Sequence, residues 1–392
     1  MDKRTLYQLI ISQLHEDGFT DIASQLSNVT LIPRPPQVAP QRLYRLASQG
    51  RTREAGPGRE KDKMAWDKED DDDSGSVLLG ATVRPKGLDF DREKRKLVAT
   101  GSMDTSVKLA DVEKMKAHGD KKDHDHMDDG ASRNVTRSFY DHSSTVTDVC
   151  FHPTTPLLAS CSKDMSIKFF DYSKTHAKRS VKFIQDAVRL RSIDFHPSGD
   201  FLLASGKDAR IRLYDTRTQQ AFVCPNAGDN HSSTVNMVRY RNDGGVYASA
   251  GKDGNIKLWD TTSATCISTF PAAHSGNAVT SVQFSRNGRY LLSCGKDSTV
   301  KLWDLSTTRP LRIYSGSVLS KRRLPATFSF SEDFVLAPDE SGAVAVAWDT
   351  RSGDLLHRLT GHNQLVRFIA SSPVENALLT CSDDSRARFW VV

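Results

Sequence analysis

Three times the chain sets a histidine, a hydroxyl residue and an aspartate in the combination that builds a nucleophilic hydrolase: His231 with Ser249 and Asp253, His274 with Ser293 and Asp297, His362 with Thr380 and Asp384. In such an enzyme the imidazole takes the hydroxyl proton and the carboxylate orients the ring, and one set is enough. Here the sets recur at near-constant offsets, and each ends on a tryptophan, Trp259, Trp303 or Trp390, whose indole N–H can only donate. A fourth set, His142, Ser160 and Asp164, ends on Phe170. Recurrence at one repeat position marks a scaffold, so these twelve residues are read as structural hydrogen-bonded tetrads, with no catalytic residue among them.

The tetrads sit within a phrase repeated seven times: TGSMDTSVKLAD, SCSKDMSIKFFD, ASGKDARIRLYD, SAGKDGNIKLWD, SCGKDSTVKLWD, PDESGAVAVAWD and TCSDDSRARFWV. The closing aspartates Asp111, Asp171, Asp215, Asp260, Asp304 and Asp349 are 60, 44, 45, 44 and 45 residues apart. A period near 44 with Trp-Asp endings predicts four-stranded blades in a closed ring, an all-β seven-bladed propeller over residues 76–392. The phrase resembles the WD repeat, whose propellers join His, Ser or Thr, Asp and Trp in the tetrad described above. Blade 1, with Thr100 and Asp104 but Ala110 at its end, and blade 6, with Trp348 but Pro338 near the hydroxyl position, lack a leading His. They are expected to be the least rigid. The chain stops after the third strand of blade 7, and the β-prone segment Ser76 to Val83 is expected to supply its outer strand, hiding an open sheet edge. An insertion at about 112–135 is placed between blades 1 and 2; its His118, His124 and His126 complete no coordination sphere, so neither metal nor cofactor is expected.

Ahead of the repeats, residues 1–49 place Leu6, Leu9, Ile10, Leu14, Phe19, Ile22 and Leu26 on apolar helical faces. So small a bundle buries too little surface to be comfortably stable alone, which favours either self-association or docking on the propeller. Its spacing resembles the LisH dimerisation motif, although Gln13 stands where that motif has Tyr. Residues 50–75 combine Gly, Pro and charge and end in the acidic run Asp67 to Asp73, a flexible linker by composition.

The net charge of +6 points to an acidic partner. Much of it is expected on one face of the propeller, because the residue before the turn aspartate is Lys163, Lys207, Lys252 and Lys296 in four successive blades. Alignment of the leading strands adds Arg84, Lys86, Arg189, Arg191 and Arg367 to that face. Cys161, Cys294 and Cys381 follow Ser160, Ser293 and Thr380 directly and read as small buried strand residues in a reducing compartment. The absence of any run of 18 apolar residues leads us to expect a soluble intracellular protein without membrane contact. No phosphate cradle, metal constellation or unrepeated nucleophile and base appears, so an enzyme is not expected.

Several strings are more particular than any generic repeat: RTLYQLIISQLHEDGF, FDYSKTHAKRSVKFIQDAVRLRSIDFHPSGDF, GKDGNIKLWD, CGKDSTVKLWD and GHNQLVRFIASSPVENALLTCSDDSRARFW. They resemble the WD-repeat subunits of cleavage stimulation factor. The resemblance implies a nuclear, non-enzymatic scaffold in pre-mRNA 3'-end cleavage and polyadenylation. It implies a homodimer through the N-terminal helices, a propeller that binds the tetratricopeptide-like scaffold subunit, and contact with other 3'-end processing factors. Because no RNP1-type sequence or stacked aromatic platform appears, RNA contact is expected to be auxiliary. The alternative is a direct RNA or phosphopeptide reader using the basic face.

Overall fold

The computed structural model describes residues 78–79, 97–111, 135–174, 178–372, 376–384 and 386–391. The N-terminal helices, the linker, Arg84, Lys86 and the insertion's histidines lie outside these residues.

The described chain forms seven antiparallel sheets. Six have four strands, and the last has three among the described residues, Val366–Ser371, Ala377–Ser382 and Ala387–Val391. Blade 4 shows the pattern: Val235–Tyr240, Val246–Gly251, Ile256–Asp260 and Cys266–Phe270 pair in chain order from the inside outward. The second strands of blades 2 to 5 begin with large apolar residues, end with small ones and are almost wholly buried, because neighbouring blades cover both of their faces. The outermost strands have the opposite character. In blade 5, Arg309–Tyr314 is exposed at every residue except Tyr314.

Seven apolar clusters hold the ring, and each spans the gap between two neighbouring blades. Cys161 and Ile167 of blade 2 pack with Ile193 and Leu202 of blade 3, for example, and Leu302 and Tyr314 of blade 5 pack with Phe328 and Trp348 of blade 6. The last gap closes the same way, with Val98 of blade 1 against Ala370, Leu379 and Cys381 of blade 7.

This closure corrects the expected clasp. Leu78–Leu79 pairs with Leu97–Gly101, Leu78 opposite Gly101 and Leu79 opposite Thr100, so it is the innermost strand of blade 1 and not the outer strand of blade 7. It lies against the inner strands of blades 2 and 7. Apolar, β-prone composition suits an inner strand as well as an outer one, and pattern alone did not separate the two. The insertion is also relocated. Val135–Phe139 pairs with Val107–Asp111 as the outer strand of blade 1, so the inserted residues fall within that blade, between its third and fourth strands.

Side chains on the inner strands tie each blade to the next. Asp148 of blade 2 accepts the Ile193 N–H (3.2 Å) and the Ser192 hydroxyl (2.8 Å) of blade 3, and Asp194 of blade 3 accepts the Tyr240 N–H of blade 4 (2.7 Å). Across blades 5 and 6 the same job falls to Ser281 and Gln283, which accept the N–H groups of Ala326 and Phe328. Arg239 of blade 4 reaches back across two gaps, donating to Asp148 (3.2 Å), Ser192 (2.8 Å) and the Ile193 carbonyl (3.1 Å). Burial opposes its charge, but Asp148 and Asp194 outweigh that and raise the guanidinium pKa.

Removing one partner of a buried charge pair leaves the other charge uncompensated, so Asp148→Ala should cost about 3–5 kcal/mol. The exposed pair of Arg241 and Asp243 is the control, and Arg241→Ala should cost less than about 1 kcal/mol. Urea unfolding of both variants at neutral pH measures the difference. Equal losses would show that the inter-blade carboxylate contributes no more than a surface pair.

Candidate partner-binding face

The tetrads explain how the loops of one face are held. In blade 4 the Trp259 indole donates to the Ser249 hydroxyl (2.8 Å), Ser249 meets His231 Nε2 (2.7 Å), and His231 Nδ1 meets Asp253 (2.9 Å). Blade 5 repeats it with Trp303 to Ser293 (2.8 Å), Ser293 to His274 (2.8 Å) and His274 to Asp297 (2.9 Å). So does blade 7 with Trp390 to Thr380 (2.8 Å), Thr380 to His362 (2.8 Å) and His362 to Asp384 (2.9 Å). Blade 2 keeps His142, Ser160 and Asp164 in place without an indole, and Phe139 lies 4.6 Å from Phe170 between ring centroids.

A neutral imidazole satisfies every member: Trp N–H to hydroxyl oxygen, hydroxyl proton to Nε2, and Nδ1–H to carboxylate. The geometry is that of a hydrolytic triad, but Ser249 and Ser293 are fully buried and their oxygens already hold an indole donor. No substrate carbonyl can reach them.

The aspartates of these sets also shape the turns. Asp253 accepts the N–H groups of Ser232 (3.0 Å) and Asn255 (3.1 Å), pinning both the leading loop and the turn. Gly254 follows at φ +79°, where a Cβ would stand 2.8 Å from the Gly276 carbonyl oxygen. Burial works against charge on Asp253 and Asp297, yet their histidines and turn N–H groups outweigh it and hold both near a pKa of about 2.

Blades lacking a leading His use other ties. In blade 6 the Trp348 indole donates to the Ser315 carbonyl (2.9 Å), and Asp339 pairs with Arg358 (2.9 Å). Blade 3 is a departure that the repeat pattern did not flag. Ala204 takes the hydroxyl position, Arg212 clamps Asp208 with two hydrogen bonds (2.6 and 3.1 Å), and the Tyr214 hydroxyl donates to Asp186 (2.6 Å). Its signal was legible in Tyr214 replacing Trp and in Arg212 standing four residues after the turn aspartate, where blades 2, 4 and 5 carry Lys168, Lys257 and Lys301.

The four turn lysines occupy equivalent places. The N–H groups of Lys163, Lys207, Lys252 and Lys296 donate to the carbonyls of Thr145, Arg189, Thr234 and Ala278, each just ahead of its blade's inner strand, at 2.8–3.0 Å. Lys207, Lys252 and Arg189 are exposed; Lys163 and Lys296 are half-buried.

Two predicted members do not join this set. Arg191 is half-buried and donates to Asn236 of blade 4 (2.6 Å), which in turn donates to the Val279 carbonyl of blade 5 (2.7 Å). Arg367 is 2% exposed and grips Asp383 through Nε (2.8 Å) and Nη2 (2.8 Å). Blade 7 has Asp383 where four other blades have Lys, and that carboxylate draws the arginine into the structure.

The loop ahead of the blade 6 core adds three cations that the turn register could not reveal: Lys321, Arg322 and Arg323. Glu340 accepts the N–H groups of Ser320 (3.1 Å), Lys321 (2.9 Å) and Arg322, and the Leu319 N–H donates to Ser298 in the turn that carries Lys296 (3.1 Å). Three consecutive basic residues where a leading His is missing were the available signal. The buried cysteines have no such exposure: burial pushes the Cys294 thiol up to about 12, and Cys161 and Cys381 are raised in the same way.

Comparison with known proteins bears on both parts of the chain. Residues 2–55 match the family model described as cleavage stimulation factor subunit 1, dimerisation domain, and five segments between residues 133 and 391 match the WD domain, G-beta repeat. A protein named cleavage stimulation factor subunit 50 from Arabidopsis thaliana is 36% identical over 99% of this chain and 95% of its own length. The chain belongs to the cleavage stimulation factor subunit 50 family. Other similarities are partial. The DENN domain and WD repeat-containing protein SCD1 of Arabidopsis thaliana is 45% identical over 15% of this chain and 5% of its own length, and nuclear distribution protein PAC1 of Komagataella phaffii is 35% identical over 20% and 13%. Membership in the subunit 50 family accounts for the dimerisation domain and the WD repeats together. The first WD match, residues 133–171, begins at the outer strand of blade 1 and ends with the third strand of blade 2, so the sequence repeat is offset by one strand from the structural blade.

Because Asp253 and Asp297 ionise more readily when folded than an unfolded Asp near 3.9, they contribute stability that is whole above that value and is lost as pH falls through about 2. Asp253→Asn with Asp297→Asn should lower stability at pH 7 by about 1–3 kcal/mol per site and lose less than the wild type between pH 5 and 3. Denaturation midpoints across that range decide it. An acid limb as steep in the double variant would place the titration elsewhere.

Proposed function

We propose that this chain is a non-enzymatic scaffold subunit of a cleavage stimulation factor complex, acting in the nucleus in pre-mRNA 3'-end cleavage and polyadenylation. One observation carries the reading: 36% identity over nearly the whole chain to a cleavage stimulation factor subunit, with a match to that factor's dimerisation domain at residues 2–55. In this role the N-terminal domain holds two copies together through Leu6, Leu9, Ile10, Leu14, Phe19, Ile22 and Leu26. The propeller binds the tetratricopeptide-like scaffold subunit and contributes contacts to other processing factors. Burial of the hydrolase-like groups supports the non-enzymatic assignment.

The basic face is the part of the propeller we assign to the partner. Its support is the exposure of Arg189, Lys207 and Lys252 on loops fixed by the Arg212–Asp208 clamp of blade 3, the tetrad of blade 4 and the turn hydrogen bonds. Summed positive potential on rigid loops steers an acidic partner without needing any one strong contact. Direct reading of RNA is the alternative use of the same charge.

Two measurements test this. A charge placed in the dimer contact costs several kcal/mol when unpaired, so Leu9→Asp or Leu14→Asp should sediment as a monomer with an intact propeller. A dimer in both variants would remove the N-terminal domain from that role. Changing Arg189, Lys207 and Lys252 together to Glu should weaken capture of the scaffold subunit and flatten its salt dependence, with thermal unfolding nearly unchanged. Undiminished capture with the same salt slope would move the interface to the blade sides or the opposite face. Loss of RNA binding with scaffold capture intact would favour the RNA reader.

A further inference from the structure

We propose that the groove on the outer wall between blades 1 and 2 docks a short segment of a partner protein in which an acidic residue stands beside an aromatic one. The groove is an open cavity of about 400 Å³, lined by Asp141, Asp164, Lys168, Arg179, Phe183 and Gln185 among others. Several stretches of chain build it. Asp141 lies in the connection from the outer strand of blade 1 to the inner strand of blade 2, Asp164 in the turn after the second strand, Lys168 on the third strand and Phe183 opposite it on the fourth. Blade 2 departs from the repeat here. Its third and fourth strands are joined by ten residues, 172–181, where blade 4 uses five, 261–265, and the longer connection brings Arg179 and Ser180 to the groove.

The floor is already satisfied, and the mouth is not. Asp141 accepts the Ser180 N–H (3.1 Å) and hydroxyl and pairs with Lys168 (3.6 Å), whose ammonium also donates to the Asp141 carbonyl. Asp164 meets His142 (2.8 Å) and accepts the N–H groups of Ser143 (3.0 Å) and Ser166 (3.0 Å), and the Gln185 amide donates to the Met165 carbonyl (3.2 Å). Arg179 and Phe183 differ. Both are exposed, Phe183 at 59%, and Arg179 has no hydrogen bond or ion pair among the described residues. A solvated ring and a solvated cation on a fixed wall each gain a contact without breaking one, so binding here needs little reorganisation.

Charge complementarity selects the occupant. Both lining carboxylates are engaged in the floor, which leaves Arg179 as the charge to be met. One Asp or Glu meets it, and an aromatic side chain beside that residue packs on the Phe183 ring. Tyr140, 65% exposed and next to Asp141, and Met165, 38% exposed and next to Asp164, extend the apolar rim. Exposed rings also suit stacked bases, but a nucleic-acid strand carries a phosphate at every step and would run past two carboxylates. Burial opposes charge on Asp141, yet Ser180 and Lys168 outweigh it and hold its pKa below the usual carboxylate range, so that repulsion persists at neutral pH. A peptide with few anions avoids it. The groove shares no lining residue with Arg189, Lys207 and Lys252, and it does not rest on the assembly role.

Fluorescence polarisation with the full-length chain tests it. The probes are a labelled peptide with two aspartates followed by a phenylalanine, a twin with asparagines for the aspartates, a twin with serine for the phenylalanine, and a labelled oligouridine. The first peptide should bind, and each twin should bind about tenfold more weakly. Arg179→Glu and Phe183→Ala, both at exposed positions, should each weaken the first peptide by about tenfold with thermal unfolding unchanged. Arg351→Glu makes the same charge change at an exposed position of blade 6 and should leave binding within about twofold. Against the asparagine twin Arg179→Glu should cost little, because the pair it breaks is already gone. No binding of the first peptide, equal affinity for the asparagine twin, or binding unchanged in both groove variants would overturn the proposal. Oligouridine binding lost in both variants, with no peptide binding, would make the groove an RNA contact and overturn it as well. So would peptide binding seen only after Asp123, Asp125, Asp128 and Asp129 are changed to Asn, which would assign the groove to this chain's own insertion.

Discussion

Lateral burial between blades is the constraint from which the rest of this propeller follows. Each second strand is sealed on both faces by neighbouring sheets, which favours small and apolar residues and favours an internal partner for any polar group it carries. The hydroxyls of Ser249, Ser293 and Thr380 are among the polar groups placed there. Each accepts from an indole and donates to an imidazole, and the imidazole passes the connection out to an aspartate at the rim. One buried oxygen thus couples the core of a blade to the loops of its face. Where the hydroxyl is replaced, by Ala204 in blade 3 or, by strand register, Ala337 rather than Pro338 in blade 6, the phenol or indole finds another acceptor, and Asp208 and Asp339 each take an arginine.

The inner strands solve a second problem set by the same geometry. At the narrow end of the blades the backbone groups of one strand approach those of the next blade without being in register to pair. Asp148, Asp194, Ser281 and Gln283 bridge that gap by accepting N–H groups from the neighbouring strand. Arg239 is tolerated in this place because two carboxylates and a carbonyl surround its guanidinium. The seventh gap is filled by the same kind of apolar cluster as the others.

Features with a period were legible in the sequence, and features that break it were not. The seven blades, the full tetrads and the buried cysteines all recur, so each copy corroborated the rest. Leu78–Leu79 occurs once, and nothing in an apolar pair distinguishes an inner strand from an outer one, which is why the clasp was placed on the wrong blade. Register arguments succeeded for the backbone of the turn lysines and failed for side chains one strand away. Arg191 and Arg367 hold the expected positions but find Asn236 and Asp383 within reach, contacts between residues 45 and 16 apart in the chain. The blade 3 clamp and the basic loop of blade 6 were missed for a related reason: both lie where the repeat is broken, and a pattern read by its regularities passes over its exceptions.

Those exceptions are also where chemistry can differ from blade to blade. A tetrad spends its histidine and aspartate internally, leaving only the lysine beside the aspartate to face outward, so the intact blades present a nearly uniform surface. Blade 7 cancels its own charge through Arg367 and Asp383, whereas blade 6 binds Glu340 with backbone N–H groups and exposes Lys321. Charge on the face is therefore graded around the ring by how each blade satisfies the same internal demand. Departures from the repeat make the face differ chemically from blade to blade, and the repeat supplies the framework on which those differences are fixed.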